Sequence, residues 1–163
     1  MSIGYNFNMP VILFDIDYTL FDTKLFKESN LTEYRIYDEV ESTLTMLKKQ
    51  AKLGIFSEGR QDFQKAKLQN TGIFSLFDSN LIFIVPDKFE ALREIVSTFE
   101  NKKNIFLVDD KLSILAEVKA VLPEMTTIWV KRGFYAEHAR PIAGFTPDLS
   151  IETIQDLPQI FSQ

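Results

Sequence analysis

Short, continuous apolar runs recur along the chain and are separated by longer mixed segments. The runs cover residues 11–14, 53–56, 81–85, 104–108 and 126–130. They do not alternate with polar residues, and they are rich in β-branched and aromatic side chains. Runs of this kind are typical of strands that are buried on both faces of a parallel sheet. The hydrophobic pattern therefore predicts parallel strands at these positions.

The segments between the runs have helical spacing, because apolar residues recur there every three or four positions. These segments are centred on residues 40–51, 63–68, 89–99 and 112–120, and a weaker one spans 151–160 around Pro158. Strands that alternate with helices predict βαβ units with helices on both faces of a sheet. The predicted fold class is α/β, a doubly wound three-layer α/β/α sandwich with a mainly parallel central sheet.

Two stretches, residues 20–37 and 131–146, do not follow this alternation. The total of 163 residues fits one domain, so we expect a single domain over residues 1–163. Residues 21–37 are too few for an independent domain and are predicted to form a small flap over the core. No separate cap domain is expected.

Composition removes several classes of function. The chain has 18 basic and 23 acidic residues with a net charge of −5 and no basic run, which argues against nucleic-acid binding. The absence of cysteine excludes disulfides, thiolate metal sites and a cysteine nucleophile. The first apolar run stops at Asp15, so we expect neither a signal peptide nor a membrane span, and by default a cytoplasmic protein.

The ends of the first four runs carry the candidate chemistry. The polar residues at or just beyond these ends are Asp15 and Asp17, Ser57, Lys88, and Asp109 and Asp110. Ligands bind outside the carboxyl ends of strands in open parallel sheets, so these side chains are expected to converge. Clustered carboxylates need a positive partner, and Mg²⁺ prefers carboxylates together with water and phosphate. A carboxylate beside such a metal can attack phosphorus, and a second acid can transfer a proton to the leaving group.

The segment Asp15-Ile16-Asp17-Tyr18-Thr19-Leu20 resembles motif I of the haloacid dehalogenase-like (HAD) hydrolase superfamily. Ser57, Lys88 and the pair Asp109-Asp110 resemble its motifs II, III and IV, in the same order along residues 9–130. The resemblance implies a Rossmann-like core in a small, nearly capless phosphatase-type member. It also implies Mg²⁺-dependent phosphomonoester hydrolysis through an aspartyl-phosphate intermediate on Asp15.

The resemblance further implies a role for each matching residue. Asp15 would be the nucleophile, Asp17 the general acid and base, and Ser57 and Lys88 would hold the phosphoryl group, which makes these four the predicted catalytic residues. The predicted metal ligands are Asp15, Asp17 through its backbone carbonyl, Asp109 and Asp110. The predicted substrate-binding residues are Ser57, Glu58, Gly59, Arg60 and Lys88. Thr19 would support the motif I turn.

Two positions depart from the family pattern. Tyr18 stands where the family more often has glycine, and it either crowds the entrance or packs against the core. Ser113 stands where a later motif IV acid is expected, so Asp110 is the candidate replacement. The carboxyl group at Asp17 favours phosphoryl chemistry over the dehalogenase branch.

Other functions stay open on the sequence. The protein could bind phosphate and Mg²⁺ without catalysis, or transfer the phosphoryl group to an acceptor other than water. A phosphorylated receiver domain is excluded, because both the hydroxyl and the lysine precede the second acid pair here. The expected partner is a phosphorylated substrate, either small or macromolecular, with no nucleic acid and no membrane. Homo-oligomerisation is one way in which an open site could gain a lid.

Overall fold

A six-stranded sheet forms the centre of the computed structural model, which describes residues 8–162. The strands are β1 Val11–Phe14, β2 Lys52–Glu58, β3 Ile82–Val85, β4 Ile105–Asp109, β5 Thr126–Val130 and β6 Leu149–Ile151. Their order is β3-β2-β1-β4-β5-β6, and all five pairings are parallel. This is the order of a doubly wound Rossmann-like sheet, so the predicted fold class is confirmed.

Helices connect the strands. They are α1 Thr23–Glu28, α2 Val40–Leu47, α3 Gln61–Asn70, α4 Lys88–Ser97, α5 Leu112–Val121, α6 Gly133–Glu137 and α7 Leu157–Phe161. Short 3₁₀ turns cover Phe74–Leu76, Ser79–Leu81, Lys102–Asn104 and Ile154–Asp156. Helices α2 to α5 lie where the spacing predicts them. No helix within residues 8–162 combines the length and apolarity needed to cross a bilayer.

The C-terminal segment differs from its prediction. Residues 151–160 are not one weak helix, because residues Leu149–Ile151 pair with β5 as an edge strand. The helix begins only at Leu157, with Pro158 in its first turn, where the missing N–H of proline costs no hydrogen bond.

Two hydrophobic layers enclose the sheet. Ile12 and Phe14 of β1 point into one layer, and Val11 and Leu13 point into the other. Successive side chains of a strand face opposite sides, so a strand covered on both faces must be apolar throughout. Helices α2 and α7 cover the first layer, and α4 and α5 cover the second.

Residues 21–37 fold back over the carboxyl end of β1. The base of this flap is tied by two backbone hydrogen bonds, from Asp22 N–H to the Arg35 carbonyl (2.8 Å) and from Tyr37 N–H to the Leu20 carbonyl (3.1 Å). Phe26 packs edge-on against Phe21 with ring centroids 5.3 Å apart. The flap is thus anchored at its base and carries an aromatic inner surface.

Candidate active site

A cavity of about 280 Å³ opens at the carboxyl ends of the strands. Its walls come from the end of β1, the flap, the end of β2, α3, the start of α4, the β4–α5 connection and α6. The charged side chains that line it are Asp15, Asp17, Lys27, Glu58, Lys67, Lys88, Asp110 and Lys111. The topology therefore places both predicted acids of motif I in one cavity with Lys88 and Asp110.

Three carboxylates form an acid cluster, of which Asp15 and Asp110 line this cavity and Asp109 lies buried beside them. Asp15, Asp109 and Asp110 each offer an oxygen, and these oxygens lie within 4.8 Å of one another. Lys88 Nζ donates to Asp15 Oδ1 at 2.8 Å and to Asp109 Oδ2 at 2.6 Å. All four residues are buried. Within residues 8–162 these three acid groups have one bonded lysine, which cannot balance all three charges when the groups are ionised.

Burial dominates the ionisation of the acid cluster. It raises the pKa of Asp15 to about 6, and the Lys88 charge only partly offsets this effect. Burial and the neighbouring Asp109 charge raise the pKa of Asp110 to about 9. Burial disfavours the ammonium form of Lys88, but the Asp109 and Asp15 charges outweigh it and raise the pKa of Lys88 above its ordinary value.

The carboxylate of Asp110 suits a metal ligand because it is buried and lacks hydrogen-bond partners within residues 8–162. Both of its carboxylate oxygens are buried, and neither has a hydrogen-bond partner within residues 8–162. Its backbone carbonyl, in contrast, accepts a hydrogen bond from Trp129 Nε1 at 3.0 Å. Orphaned carboxylate oxygens beside two further acids are a donor set that suits a hard divalent cation such as Mg²⁺. Ser113 is exposed and does not line this cavity.

Asp17 has a different environment, which we call the Asp17 clamp and define by Thr23, Gln64 and Lys67. Lys67 Nζ and Thr23 Oγ1 donate to Asp17 Oδ1 at 2.7 and 2.8 Å. Gln64 Nε2 donates to Asp17 Oδ2 at 2.9 Å. Burial alone would raise the pKa of Asp17, but the Lys67 charge and these hydrogen bonds outweigh it and hold the pKa below its ordinary value. The carboxylate is therefore engaged by the clamp and lies outside the acid cluster, so only its backbone carbonyl remains as a candidate metal ligand.

Of the two predicted substrate-binding residues at the end of β2, Glu58 lines the cavity and Ser57 does not. Ser57 and Glu58 belong to the strand itself, which is longer than predicted. Ser57 is fully buried, and its hydroxyl accepts from Gln64 Nε2 at 2.8 Å rather than lining the cavity. Glu58 lines the cavity, and its Oε2 accepts from the backbone N–H of Lys88 at 3.0 Å.

Gly59 and Arg60 do not reach the cavity wall. Gly59 has a φ of 142° and turns the chain away from β2, while its N–H donates to the Val85 carbonyl. Arg60 is exposed, lies over the ring of Phe63 at 4.3 Å, and donates through Nη2 to Asp62 at 2.6 Å. The Arg60 side chain therefore does not line the cavity where the predicted substrate would bind.

Tyr18 packs against the protein. Its φ is 58°, in the left-handed region that glycine adopts most easily, which accounts for the glycine more often found there in the resembling family. Gly133 lies against the Tyr18 ring so closely that a Cβ on Gly133 would be 2.4 Å from it. Tyr18 and Tyr135 make an edge-to-face contact with centroids 6.0 Å apart. Tyr18 is thus both packed and part of the cavity wall.

The motif I turn is stabilised by residues distant in sequence. Leu20 N–H donates to the Ile16 carbonyl at 2.9 Å, which closes the turn. Arg132 Nη2 donates to the Thr19 carbonyl at 2.6 Å, and its Nη1 pairs with Glu39. The Thr19 hydroxyl is buried without a partner in the described part of the chain, so Thr19 supports the turn through its backbone.

Gln64 and Lys67 are absent from the predicted site. The helical spacing in this segment is marked by Phe63, Ala66 and the pair Lys67-Leu68. In the structure Phe63 is 56% exposed, whereas Gln64 and Lys67 are buried. Gln64 and Lys67 lie three positions apart, but their partner Asp17 lies 47 and 50 residues earlier, respectively, so no local pattern in the sequence connects them.

The doubly wound sheet with acids at the ends of β1 and β4 has the architecture of the HAD-like hydrolases, and solved structures agree. A haloacid dehalogenase-like hydrolase from Burkholderia xenovorans superposes with a TM-score of 0.77 at 22% identity over 92% of this chain and 95% of that one. Magnesium-bound YfnB, a HAD-hydrolase from Bacillus subtilis, gives 0.75 at 14% identity over 95% and 99%. A phosphatase from Clostridium difficile gives 0.74 at 17% identity over 96% and 100%.

Two haloacid dehalogenases share the fold with a TM-score of 0.66 each. No family model matches the sequence, and no curated protein is significantly similar to it. The chain therefore has the fold of the HAD-like hydrolases, which confirms the resemblance at the level of the fold.

Proposed function

We propose that the protein is a Mg²⁺-dependent phosphomonoester hydrolase that forms an aspartyl-phosphate on Asp15. The observation that carries the proposal is the acid cluster. Asp15 is held by Lys88 on the cavity wall, next to the orphaned carboxylate oxygens of Asp110. A nucleophilic carboxylate, a fixed ammonium and a cation site at one edge of the sheet are the parts that phosphoryl transfer requires.

The residues would divide the work as follows. Asp15, Asp109, Asp110 and the Asp17 backbone carbonyl would hold Mg²⁺, which when bound supplies charge stabilisation for the phosphoryl oxygens. Lys88 orients the Asp15 carboxylate and offsets its charge as Asp15 attacks phosphorus. Asp17 would give a proton to the leaving oxygen after taking one up, and its ionised form, which the clamp favours, would accept a proton from the water that hydrolyses the aspartyl-phosphate.

The cavity wall adds cations that suit an anionic substrate. Lys27 and Lys111 line the cavity and make no ion pair within residues 8–162. Lys111 Nζ lies 4.4 Å from the centroid of the Tyr135 ring, and Lys27 Nζ lies 5.7 Å from that of Tyr18. Both ammonium groups are therefore available to a phosphorylated ligand.

Dehalogenase chemistry is the alternative suggested by some structures with this fold. Displacement of a halide from carbon needs neither a divalent cation nor a proton donor, because halide leaves as a stable anion. The acid cluster and the Asp17 clamp would then have no chemical role. The presence of both supports phosphoryl transfer instead.

The direct test is turnover of p-nitrophenyl phosphate with Mg²⁺. We expect activity that EDTA abolishes and excess Mg²⁺ restores, and that Asp15→Asn lowers by about 10³-fold or more in kcat. The control is the melting temperature of the variant, which shows that it is folded. Absence of metal-dependent turnover across a broad panel of phosphoesters would contradict the proposal and favour a binding protein without catalysis.

Transfer to an acceptor other than water is a variant of the same chemistry. Added small alcohols should then yield new phosphate esters at the expense of inorganic phosphate. We expect inorganic phosphate as the main product, measured by the product ratio as the alcohol concentration rises. A dominant ester product would make the protein a phosphotransferase.

A further inference from the structure

We propose that four residues at the mouth of the cavity bind a second anionic group of the substrate, an inference that rests on the proposed phosphatase function. The residues are Lys27 of α1, Lys111 of the β4–α5 connection, and the aromatic residues Tyr18 and Tyr135, and we call them the rim site. The substrate class is then a small phosphomonoester that carries a further carboxylate or phosphate.

The direction of the reaction brings the leaving group of the substrate to this mouth. In phosphoryl transfer the attacking and leaving oxygens lie roughly in line, on opposite sides of phosphorus. Asp15, the proposed nucleophile, is 5% exposed, whereas Lys27 is exposed and Tyr135 is 42% exposed. Attack from the buried end of the cavity therefore directs the leaving group outward, past residues of the flap and of α6.

Two lysines line the cavity from different elements. Lys27 belongs to the flap, whereas Lys111 is anchored by its backbone N–H, which donates to Asp109 Oδ1 at 2.8 Å. Neither ammonium group pairs with a carboxylate within residues 8–162. In contrast, Lys88 and Lys67 in the same cavity are both bound to aspartates. The rim lysines are therefore the cations that can bind a further anion.

Aromatic rings support both ammonium groups of the rim site. Lys111 Nζ lies 4.4 Å from the centroid of the Tyr135 ring, and Lys27 Nζ lies 5.7 Å from that of Tyr18. The two rings contact each other edge to face with centroids 6.0 Å apart, so the four side chains are continuous. An aromatic ring attracts a cation through its quadrupole but has no net charge. Each ammonium is thus held in place while its charge stays available to a ligand.

The backbone is strained where the Tyr18 ring is placed. Tyr18 has a φ of 58°, and Gly133 beside it has a φ of 81°, so both lie in the left-handed region. A Cβ on Gly133 would be 2.4 Å from the Tyr18 ring, so residue 133 must lack one for the ring to fit. Glycine at position 18 would adopt the same backbone without strain. The contacts of the ring with Lys27 and Tyr135 give a reason for keeping a side chain there.

The buried end of the cavity suits a single phosphoryl group. Lys88 and the cation site of the acid cluster serve the oxygens of that group, and neither rim ammonium pairs with these acids within residues 8–162. The cavity volume of about 280 Å³ is at the lower end of the range for small-molecule sites. The second anionic group therefore lies only a few atoms from phosphorus, as in a phosphorylated hydroxy acid or a bisphosphate of a short diol.

Matched esters test the rim site. 3-Phosphonooxypropanoate and 3-phosphonooxypropanamide differ only in that a neutral amide of similar size replaces the carboxylate. With Mg²⁺ we expect the wild-type kcat/KM to be about 10-fold higher on the carboxylate, as expected from charge-assisted hydrogen bonds at a partly exposed site. Propane-1,3-diol bisphosphate, compared with 3-hydroxypropyl phosphate, measures the same preference for a second phosphate. The larger of the two preferences identifies the anionic group, and either one supports the rim site.

Variants assign the preference to the rim lysines. Lys27→Met and Lys111→Met should each lower the ratio of charged to neutral ester about 5-fold, because each removes one of the two cations. The corresponding arginine variants keep the charge and should retain most of the ratio. Tyr135→Leu, which removes the ring next to Lys111, should lower the ratio about 2-fold. Lys24→Met, at an exposed lysine on the same helix as Lys27, is the matched control and should leave the ratio unchanged.

Binding measurements separate the rim site from the chemistry. In 4-phosphonobutanoate and 4-phosphonobutanamide a methylene group replaces the ester oxygen, so neither compound can be hydrolysed. Isothermal titration calorimetry with Mg²⁺ should show about 10-fold tighter binding of the carboxylate to the wild type. The difference should shrink in Lys27→Met and Lys111→Met, whose melting temperatures show that they are folded.

Each outcome decides the question. Equal kcat/KM on the charged and neutral esters, or a preference that both methionine variants keep in full, would overturn the rim site while leaving the phosphatase function intact. Equal losses on both esters in these variants would assign the lysines to the phosphoryl group and overturn it as well. No turnover of any ester, with selective binding of 4-phosphonobutanoate, would overturn the proposed function but support the rim site. No turnover and no selective binding would overturn both.

Discussion

Two carboxylates only two positions apart in the chain, Asp15 and Asp17, lie in opposite electrostatic situations. Asp15 belongs to the acid cluster, in which one lysine bonds to two of three buried acids and the carboxylate oxygens of Asp110 have no hydrogen-bond partner in the described part of the chain. Asp17 is bound by the clamp, in which each of its oxygens accepts at least one hydrogen bond from the protein. The first region is incomplete without a cation, and the second is complete as it stands.

The acid cluster therefore needs positive charge from a ligand, whereas the fold itself provides the cation and hydrogen bonds that stabilise Asp17. An unsatisfied buried carboxylate is costly, so the acid cluster stores unfavourable energy that a bound cation can release. A carboxylate that the protein already holds by hydrogen bonds is oriented in advance and gains little from a cation. We therefore expect perturbations of the acid cluster to depend on Mg²⁺, and those of the clamp to be independent of it.

The largest effect is expected from Lys88→Met. This change removes the one lysine that bonds to the acid cluster within residues 8–162 and leaves buried charges unpaired, so the metal-free protein should lose about 3–5 kcal/mol of unfolding free energy. Mg²⁺ should restore part of the loss, as measured by urea unfolding with and without the ion. The same destabilisation at all Mg²⁺ concentrations would show that no cation binds near these acids.

Asp17→Asn should destabilise the protein by about 2–3 kcal/mol, because it leaves the Lys67 ammonium, whose side chain is 10% exposed, without its carboxylate. In contrast to Lys88→Met, the loss should be the same with and without Mg²⁺. Urea unfolding in both conditions measures this. A loss that Mg²⁺ reverses would place Asp17 in the acid cluster and contradict the separation of the two regions.

The strand endings were enough to locate the acid cluster before the structure. Parallel strands end at one edge, so Asp15, Lys88 and Asp109 converge whatever the details of the loops. The clamp could not be predicted in the same way, because Gln64 and Lys67 on a helix look like ordinary surface residues until the position of Asp17 is known. Their burial depends on a contact between elements, which no local pattern contains.

Two further features could not be predicted from neighbouring residues in the sequence: the direction of the Arg60 side chain and the edge strand Leu149–Ile151. Arg60 follows Ser57 closely, but the turn at Gly59 and the start of α3 at Gln61 direct its side chain to solvent and Asp62. The edge strand Leu149–Ile151 is three residues long, which is too short to show a period. Only its pairing with β5 defines it.

Asp110→Asn should have a smaller effect of the opposite sign. With a pKa of about 9, the buried Asp110 must take up a proton near neutral pH in the metal-free protein, or else stay charged without partners. An amide has neither cost, so the metal-free variant should be more stable than the wild type by about 1–2 kcal/mol. The gain should disappear when Mg²⁺ is added, since only the wild type then benefits from the ion. Asp62→Asn, at an exposed aspartate, is the matched control and should change neither quantity. A destabilised metal-free variant would show that the Asp110 carboxylate is satisfied by some other means.

The smallest expected effect is the pH dependence of stabilisation by Mg²⁺. The pKa of Asp110 is raised from 3.8 to about 9 in the folded protein, so the folded metal-free state binds a proton that the unfolded state has released. Stability of the metal-free protein should therefore fall as pH rises between these two values, and Asp15, with a pKa of about 6, should add to the fall in its lower part. Mg²⁺ competes with these protons, so the rise in melting temperature that it produces should be larger at alkaline than at mildly acidic pH. Asp110→Asn should lose most of the pH dependence of the Mg²⁺-induced rise in melting temperature, whereas Asp62→Asn should retain it. If Mg²⁺ raises the melting temperature of the wild type equally at all pH values, the ion does not replace protons on these acids.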